Sequence, residues 1–178
     1  ILVDTEAAII VDCQIGLGEL VAYEEGNGIA KDLGLSTYWF RRAAELGDEF
    51  AQANLAIHYY RGLGVDKDAN LAYRWAARAA VRNHVDAQYL LGILYERGEG
   101  TEKDFTKALN WYEAAAKQGD RAAMFAAGRF YHNGMGGDRD LTKAVAFYKQ
   151  AADKGHPDAK KALVSLQDDM KKVEKKPQ

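Results

Sequence analysis

Apolar and small residues fall along this chain in alternating helical stripes. In residues 84–119, Ala87, Leu91, Gly92 and Tyr95 lie on one face of a helix. Ala108, Trp111, Ala115 and Ala116 then line one face of a second helix. Between the stripes, Gly98 and Gly100 interrupt the helical pattern, and Asp104 offers a carboxylate to the free amides of the next helix. Gly119 ends the second stripe in the left-handed conformation that glycine adopts without strain. The pattern predicts a helix, a loop of about seven residues, a second helix and a tight turn.

The same pattern recurs with no insertion. Tyr23, Tyr59, Tyr95 and Tyr131 are each 36 residues apart. The same spacing links Gly26, Gly62, Gly98 and Gly134, and links Gly28, Gly64, Gly100 and Gly136. Asp32, Asp68, Asp104 and Asp140 form a further column, followed by Trp39, Trp75, Trp111 and Phe147. Gly47, Asn83, Gly119 and Gly155 close each unit, Asn being the next-best residue for a left-handed backbone. Asp48 and Asp120 are expected to cap the following first helix, His84 and His156 share that capping column, and Pro157 suits a first helical turn. One helical hairpin cannot bury both of its faces, so the units must stack. Gly92, Gly128 and Ala56 allow close helix approach, and the Trp111 column is expected to fill the space between units.

The period divides the chain into units 12–47, 48–83, 84–119 and 120–155. Residues 1–11 read as the end of a preceding unit, because Ala7 and Ala8 occupy the Ala-Ala columns. Ala159 and Leu163 continue the first-helix columns, so 156–172 reads as a closing helix with Lys160, Lys161, Gln167 and Asp168 toward solvent. Residues 173–178 form a charged tail expected to be disordered. The N-terminal end carries no polar closing helix, which suggests a fragment cut from a longer array or an end that docks on something, including a second copy.

Composition narrows the function classes. With 24 basic and 26 acidic residues the net charge is −2, which argues against nucleic acid as the partner of the whole chain. A single cysteine, Cys13, excludes an internal disulfide and a cysteine-based metal site of its own. No run reaches the ~18 apolar residues of a membrane span. The start at Ile1-Leu2-Val3-Asp4 has no Met, basic n-region or cleavage motif, and reads as a mature chain or an excised fragment. The compartment is not fixed, with a soluble periplasmic or secreted setting favoured over the cytoplasm.

The motif Ala-x3-Leu-Gly-x2-Tyr-x2-Gly-x-Gly, then Asp, Lys-Ala-x2-Trp-Tyr-x3-Ala-Ala and a final Gly, resembles the Sel1-like repeat. Residues 87–119 match closely, with Lys107-Ala108 and Trp111-Tyr112 in place, and the resemblance covers about 12–167. The related tetratricopeptide repeat has a period of 34 and a shorter loop. The first unit is degenerate, with Glu19-Leu20 in place of Leu-Gly and Ser36 in place of Ala. The resemblance implies an all-α, right-handed α-α superhelix of about four repeats plus a C-terminal capping helix. It also implies adaptor and scaffold roles, in bacterial signalling, envelope biogenesis and host interaction or in assembly of eukaryotic membrane-protein degradation complexes. Some bacterial members staple each unit with a disulfide, which this chain cannot do.

Chemical motifs are scarce. Each Gly-x-Gly follows a helix, where a dinucleotide fingerprint needs a preceding strand, so turn formation accounts for it. Asp66 and Asp68 lack the twelve-residue calcium pattern. None of His58, His84, His132 and His156 stands at metal spacing from another His or Cys. No Gly-x-Ser-x-Gly occurs, and the adjacent Glu24 and Glu25 point apart on a helix. No catalytic residue, metal or cofactor is expected.

Columns that vary between units are the candidates for function. By resemblance to tetratricopeptide arrays, residues just after the first-helix Tyr line a concave face: Glu24, Tyr60, Glu96 and His132, then Glu25, Arg61, Arg97 and Asn133. Tyr89, Phe125 and Arg129 occupy two further inward columns. Tyr60, Arg61, Tyr89, Glu96, Arg97, Phe125, Arg129, His132 and Asn133 are therefore the expected contacts to a partner protein or peptide. Tyr and Arg are enriched at binding hot spots, and Arg takes a carboxylate with two parallel hydrogen bonds. Two alternatives stay open: a small-molecule or cell-wall-fragment binder or enzyme, which needs a deep polar pocket, and a self-assembling module.

Overall fold

The structure, a computed structural model, describes residues 33–174. The expected leading segment 1–11, Cys13, the first unit's first helix with Tyr23, Glu24 and Glu25, the Asp32 cap and residues 175–178 lie outside the described residues. The described chain is all helical, with no strand among its residues. The helices are α1 (Leu33–Glu45), α2 (Glu49–Arg61), α3 (Ala69–Ala80), α4 (Val85–Arg97), α5 (Phe105–Lys117), α6 (Arg121–Asn133), α7 (Leu141–Asp153) and α8 (Ala159–Glu174). The even-numbered helices up to α6 are the first helices of their repeats, and α1, α3, α5 and α7 are the second. The chain forms two compact units, one built on residues up to Leu90 with Glu99–Thr101, the other on Leu91–Gly98 with Glu102 onward.

The punctuation acts as its chemistry dictates. Asp68, Asp104 and Asp140 each accept the amide three residues on at 2.9 Å, and Asp48 and Asp120 do the same at 2.7 and 2.6 Å. The amides of Asp68, Asp104 and Asp140 also donate to the carbonyls of Tyr59, Tyr95 and Tyr131, which closes each loop. Asn83 holds φ 68°, so it does stand in for glycine at its turn. His84 does not repeat the aspartate cap: its buried Nδ1 has no hydrogen-bond partner, and its ring lies 6.1 Å from that of Phe50. The closing helix starts at Ala159, two residues after Pro157, because His156 forms a turn that accepts the Asp158 amide on Nδ1 and the Ala159 amide on its carbonyl.

The second glycine of each loop has a steric reason beyond its turn. A Cβ on Gly64, Gly100 or Gly136 would run into the first-turn carbonyl of the preceding second helix, at Leu33, Ala69 and Phe105. The loop thus rests directly on neighbouring backbone.

The core departs from the expectation in one respect. Trp39, Trp75, Trp111 and Phe147 are only half-buried. The buried aromatics of the described second helices are the next residues along, Phe40, Tyr112 and Tyr148, with exposures of 1%, 1% and 3%. One residue turns a helical side chain by roughly 100°, which swings Tyr112 and Tyr148 against the preceding helix. Tyr112 fills the room left by Gly92, and Tyr148 lies 2.7 Å from where a Gly128 Cβ would be. The same spacing pairs Ala56 with Ala76. In these two repeats a glycine faces the large ring, and in the 48–83 repeat two alanines stand in place of the pair.

Candidate partner-binding face

The nine expected contact residues sort into two groups. Tyr60, Arg61 and Tyr89 belong to the first compact unit. Tyr60 is half-buried against the cluster of Phe40, Leu55 and Tyr59, and Tyr89 is also half-buried. Arg61 is exposed at the last position of α2, where its charge complements the helix dipole.

Glu96, Arg97, Phe125, Arg129, His132 and Asn133 belong to the second unit. Here the structure brings residues together that the sequence reading treated singly. Arg129 on α6 donates to both carboxylate oxygens of Glu96 on α4, at 2.6 and 2.8 Å. The Tyr112 hydroxyl donates to the same carboxylate at 2.7 Å. Arg129 also lies 5.4 Å from the Phe130 ring centre. Both charged side chains are half-buried, so Glu96 and Arg129 join consecutive first helices. Phe125 is engaged too: its ring stacks on His156 at 4.2 Å and tilts against Tyr148 at 5.4 Å. His132 meets Tyr148 edge-on at 6.2 Å. Arg97 and Asn133 are exposed at the last positions of α4 and α6.

Two tyrosines in this unit have altered acidity. Burial is the main reason that Tyr148 is harder to ionise, and Arg129 opposes the effect. Tyr131 is pushed up to about 12 by desolvation first, then by the Glu113 carboxylate that accepts its hydroxyl and by Asp140. In the first unit the equivalent tyrosine, Tyr59, accepts instead, from Arg41 at 2.7 Å.

The histidines have structural work. Thr37 Oγ1 sits 2.8 Å from the carbonyls of both Leu33 and Leu63, and 2.6 Å from His58 Nδ1. Thr37 Oγ1 thus bridges the Leu33 and Leu63 carbonyls and the His58 ring. No three His, Cys, Asp or Glu residues gather at metal-binding distance among the described residues. No described helix is long and apolar enough to cross a membrane. Tyr112, Tyr148 and Glu113 are the engaged residues that sequence reasoning missed. The inverse size pairing twenty residues apart, Gly92 with Tyr112 and Gly128 with Tyr148, was the available signal.

The Sel1 repeat model matches residues 11–48, 50–84, 85–120 and 121–156, about four-fifths of the chain. The chain belongs to the Sel1 repeat family. A Sel1 repeat protein from Oxalobacter formigenes shares 38% identity over 81% of this chain and 59% of its own, with a TM-score of 0.74. A protective antigen present in uropathogenic Escherichia coli strains, displaying an SLR fold, shares 34% identity over 85% of this chain and 32% of its own, with a TM-score of 0.77. Helicobacter pylori cysteine rich protein B, at 24% identity and a TM-score of 0.57 over 72% of this chain and 92% of its own, shares the fold. This Sel1 chain thus spans 59% and 32% of the first two relatives. No curated protein matches. Sel1 repeat proteins are generally protein-interaction scaffolds and typically not enzymes.

Proposed function

We propose that this chain is a protein-interaction scaffold that holds a partner protein or peptide at the ends of its first helices. The observation that carries the reading is the column Arg61, Arg97 and Asn133. All three are exposed, and each is the last residue of a helix that ends in a left-handed glycine. The glycine fixes the backbone beneath a side chain whose identity varies between repeats. Tyr60 stands beside Arg61 as an aromatic anchor in the first unit. Phe125 and His132 do so in the second, where their ring contacts hold them in place before binding. Glu96 and Arg129 act at one remove, by fixing α4 against α6. Tyr89 is a secondary contact. The bacterial origin of the solved relatives, one of them a protective antigen, supports a bacterial signalling, envelope or host-interaction setting.

Arg61→Glu and Arg97→Glu test the reading, singly and together. The variants should stay folded, with melting lowered only slightly by the lost helix-end charge, about 0.3–1 kcal/mol each, and should lose partners recovered by pull-down and mass spectrometry from the native host. Recovery of the same partners by the double variant would overturn it.

A further inference from the structure

A second surface lies on the other side of the repeats, between the second helices α1 and α3. Leu71, Arg74, Trp75 and Arg78 of α3, with Glu45 of α1, line a cleft of about 270 Å³. Leu71 and Trp75 are half-buried against the core of this unit, so the floor is apolar and fixed. Arg78 lies over the Trp75 ring at 4.7 Å. Arg74 and Arg78 are exposed, and neither has a carboxylate partner among the described residues. The one acid in the cleft, Glu45, already faces Arg42 at 3.7 Å. The rim therefore carries an uncompensated positive charge.

The repeat supplies its own control. The aromatic column, Trp39, Trp75, Trp111 and Phe147, is aromatic in every unit, so packing explains it. The arginine columns are not constant. The Arg74 column reads Tyr38, Arg74, Asn110 and Ala146, and the Arg78 column reads Arg42, Arg78, Ala114 and Gln150, so only the α3 unit carries both arginines. The fold has no need of arginine at these positions, and it places two of them beside a half-buried tryptophan in one unit only.

We infer that the α1–α3 cleft, with Trp75 and Leu71 as floor and Arg74 and Arg78 as rim, docks an acidic peptide segment carrying one apolar anchor residue. The size fits one side chain: ligand pockets begin near 300 Å³, and this cleft lies just below that range. The charge selects the flanks, because guanidinium groups take carboxylates with two hydrogen bonds. An arginine already stacked on an aromatic ring loses less freedom on binding.

A fluorescent synthetic peptide of aspartates and glutamates around one central phenylalanine is the probe, read by anisotropy on the whole chain. Binding is expected to fall roughly tenfold or more in Arg74→Glu/Arg78→Glu, with the helical fold retained by circular dichroism. It should fall likewise when serine replaces the phenylalanine of the probe. Arg61→Glu/Arg97→Glu should leave it intact, which separates this cleft from the first-helix face. The inference is overturned if the parent chain fails to bind the probe or binds a lysine version equally well. It is also overturned if the arginine variant binds as the parent does, or if a single-stranded oligonucleotide or anionic vesicles compete better than the unlabelled peptide.

Discussion

The ring of Tyr112 occupies the space that a side chain on Gly92 would need. The two residues lie on consecutive helices of one repeat, and the ring is sealed from solvent. Gly92→Ala should therefore destabilise the protein by about 1–3 kcal/mol, the usual range for an overpacked core. Tyr112→Ala removes the obstacle, and in that background Gly92→Ala should cost almost nothing. Chemical denaturation of the four proteins measures the coupling. Equal costs in both backgrounds would mean that the ring is not the cause.

Neighbouring glycines should respond oppositely. Gly136 holds φ 77° and faces the Phe105 carbonyl inside contact distance, whereas nothing lies within 4 Å of a Cβ on Gly137. Gly136→Ala should destabilise by more than ~1 kcal/mol through backbone strain and collision. Gly137→Ala should be neutral or gain about 0.4–1 kcal/mol by restricting the unfolded chain. Thermal melting of the two variants decides this, and equal shifts would contradict the steric account.

Glu96 and Arg129 should show measurable coupling that salt weakens. Both are partly solvated, so a double-mutant cycle with Glu96→Gln and Arg129→Met should yield about 0.5–1 kcal/mol at low ionic strength. A coupling indistinguishable from zero would show that the Nη2 contact to both Glu96 oxygens adds nothing to holding α4 against α6.

Tyr131 gives a pH signature. Its hydroxyl ionises near 10 in an unfolded chain and at about 12 in the fold. The folded state thus holds the proton more tightly. Its contribution is complete below pH ~10 and is lost as pH rises toward 12. Tyr131→Phe should flatten the loss of stability across that window. The tyrosinate absorbance missing from the variant should have a midpoint well above 10, and a midpoint at 10 would contradict the assignment.

What was legible in the sequence follows physical range. Glycines, caps and turn residues are local constraints, so Asp104, Asn83 and Gly134 act where their chemistry places them. The all-helical class follows from the same signals. The buried aromatic was misplaced by one residue, at Trp111 in place of Tyr112, because helix rotation is set by the neighbouring helix and not by the stripe itself. The Glu96–Arg129 bridge joins residues 33 positions apart and needs stacking geometry that single columns do not carry. Of the expected face, Arg61, Arg97 and Asn133 are exposed, and the others are partly buried.

The repeated tyrosine has an evolutionary consequence. A phenol can give a hydrogen bond or receive one. Tyr59 receives from Arg41, and Tyr131 gives to Glu113, at the same place in different repeats. The facing position can therefore carry either charge sign, as Arg41 and Glu113 do against the tyrosines eighteen residues on. An amphoteric contact of this kind lets the surface of a duplicated repeat diverge in polarity while the tyrosine beneath it is inherited unchanged.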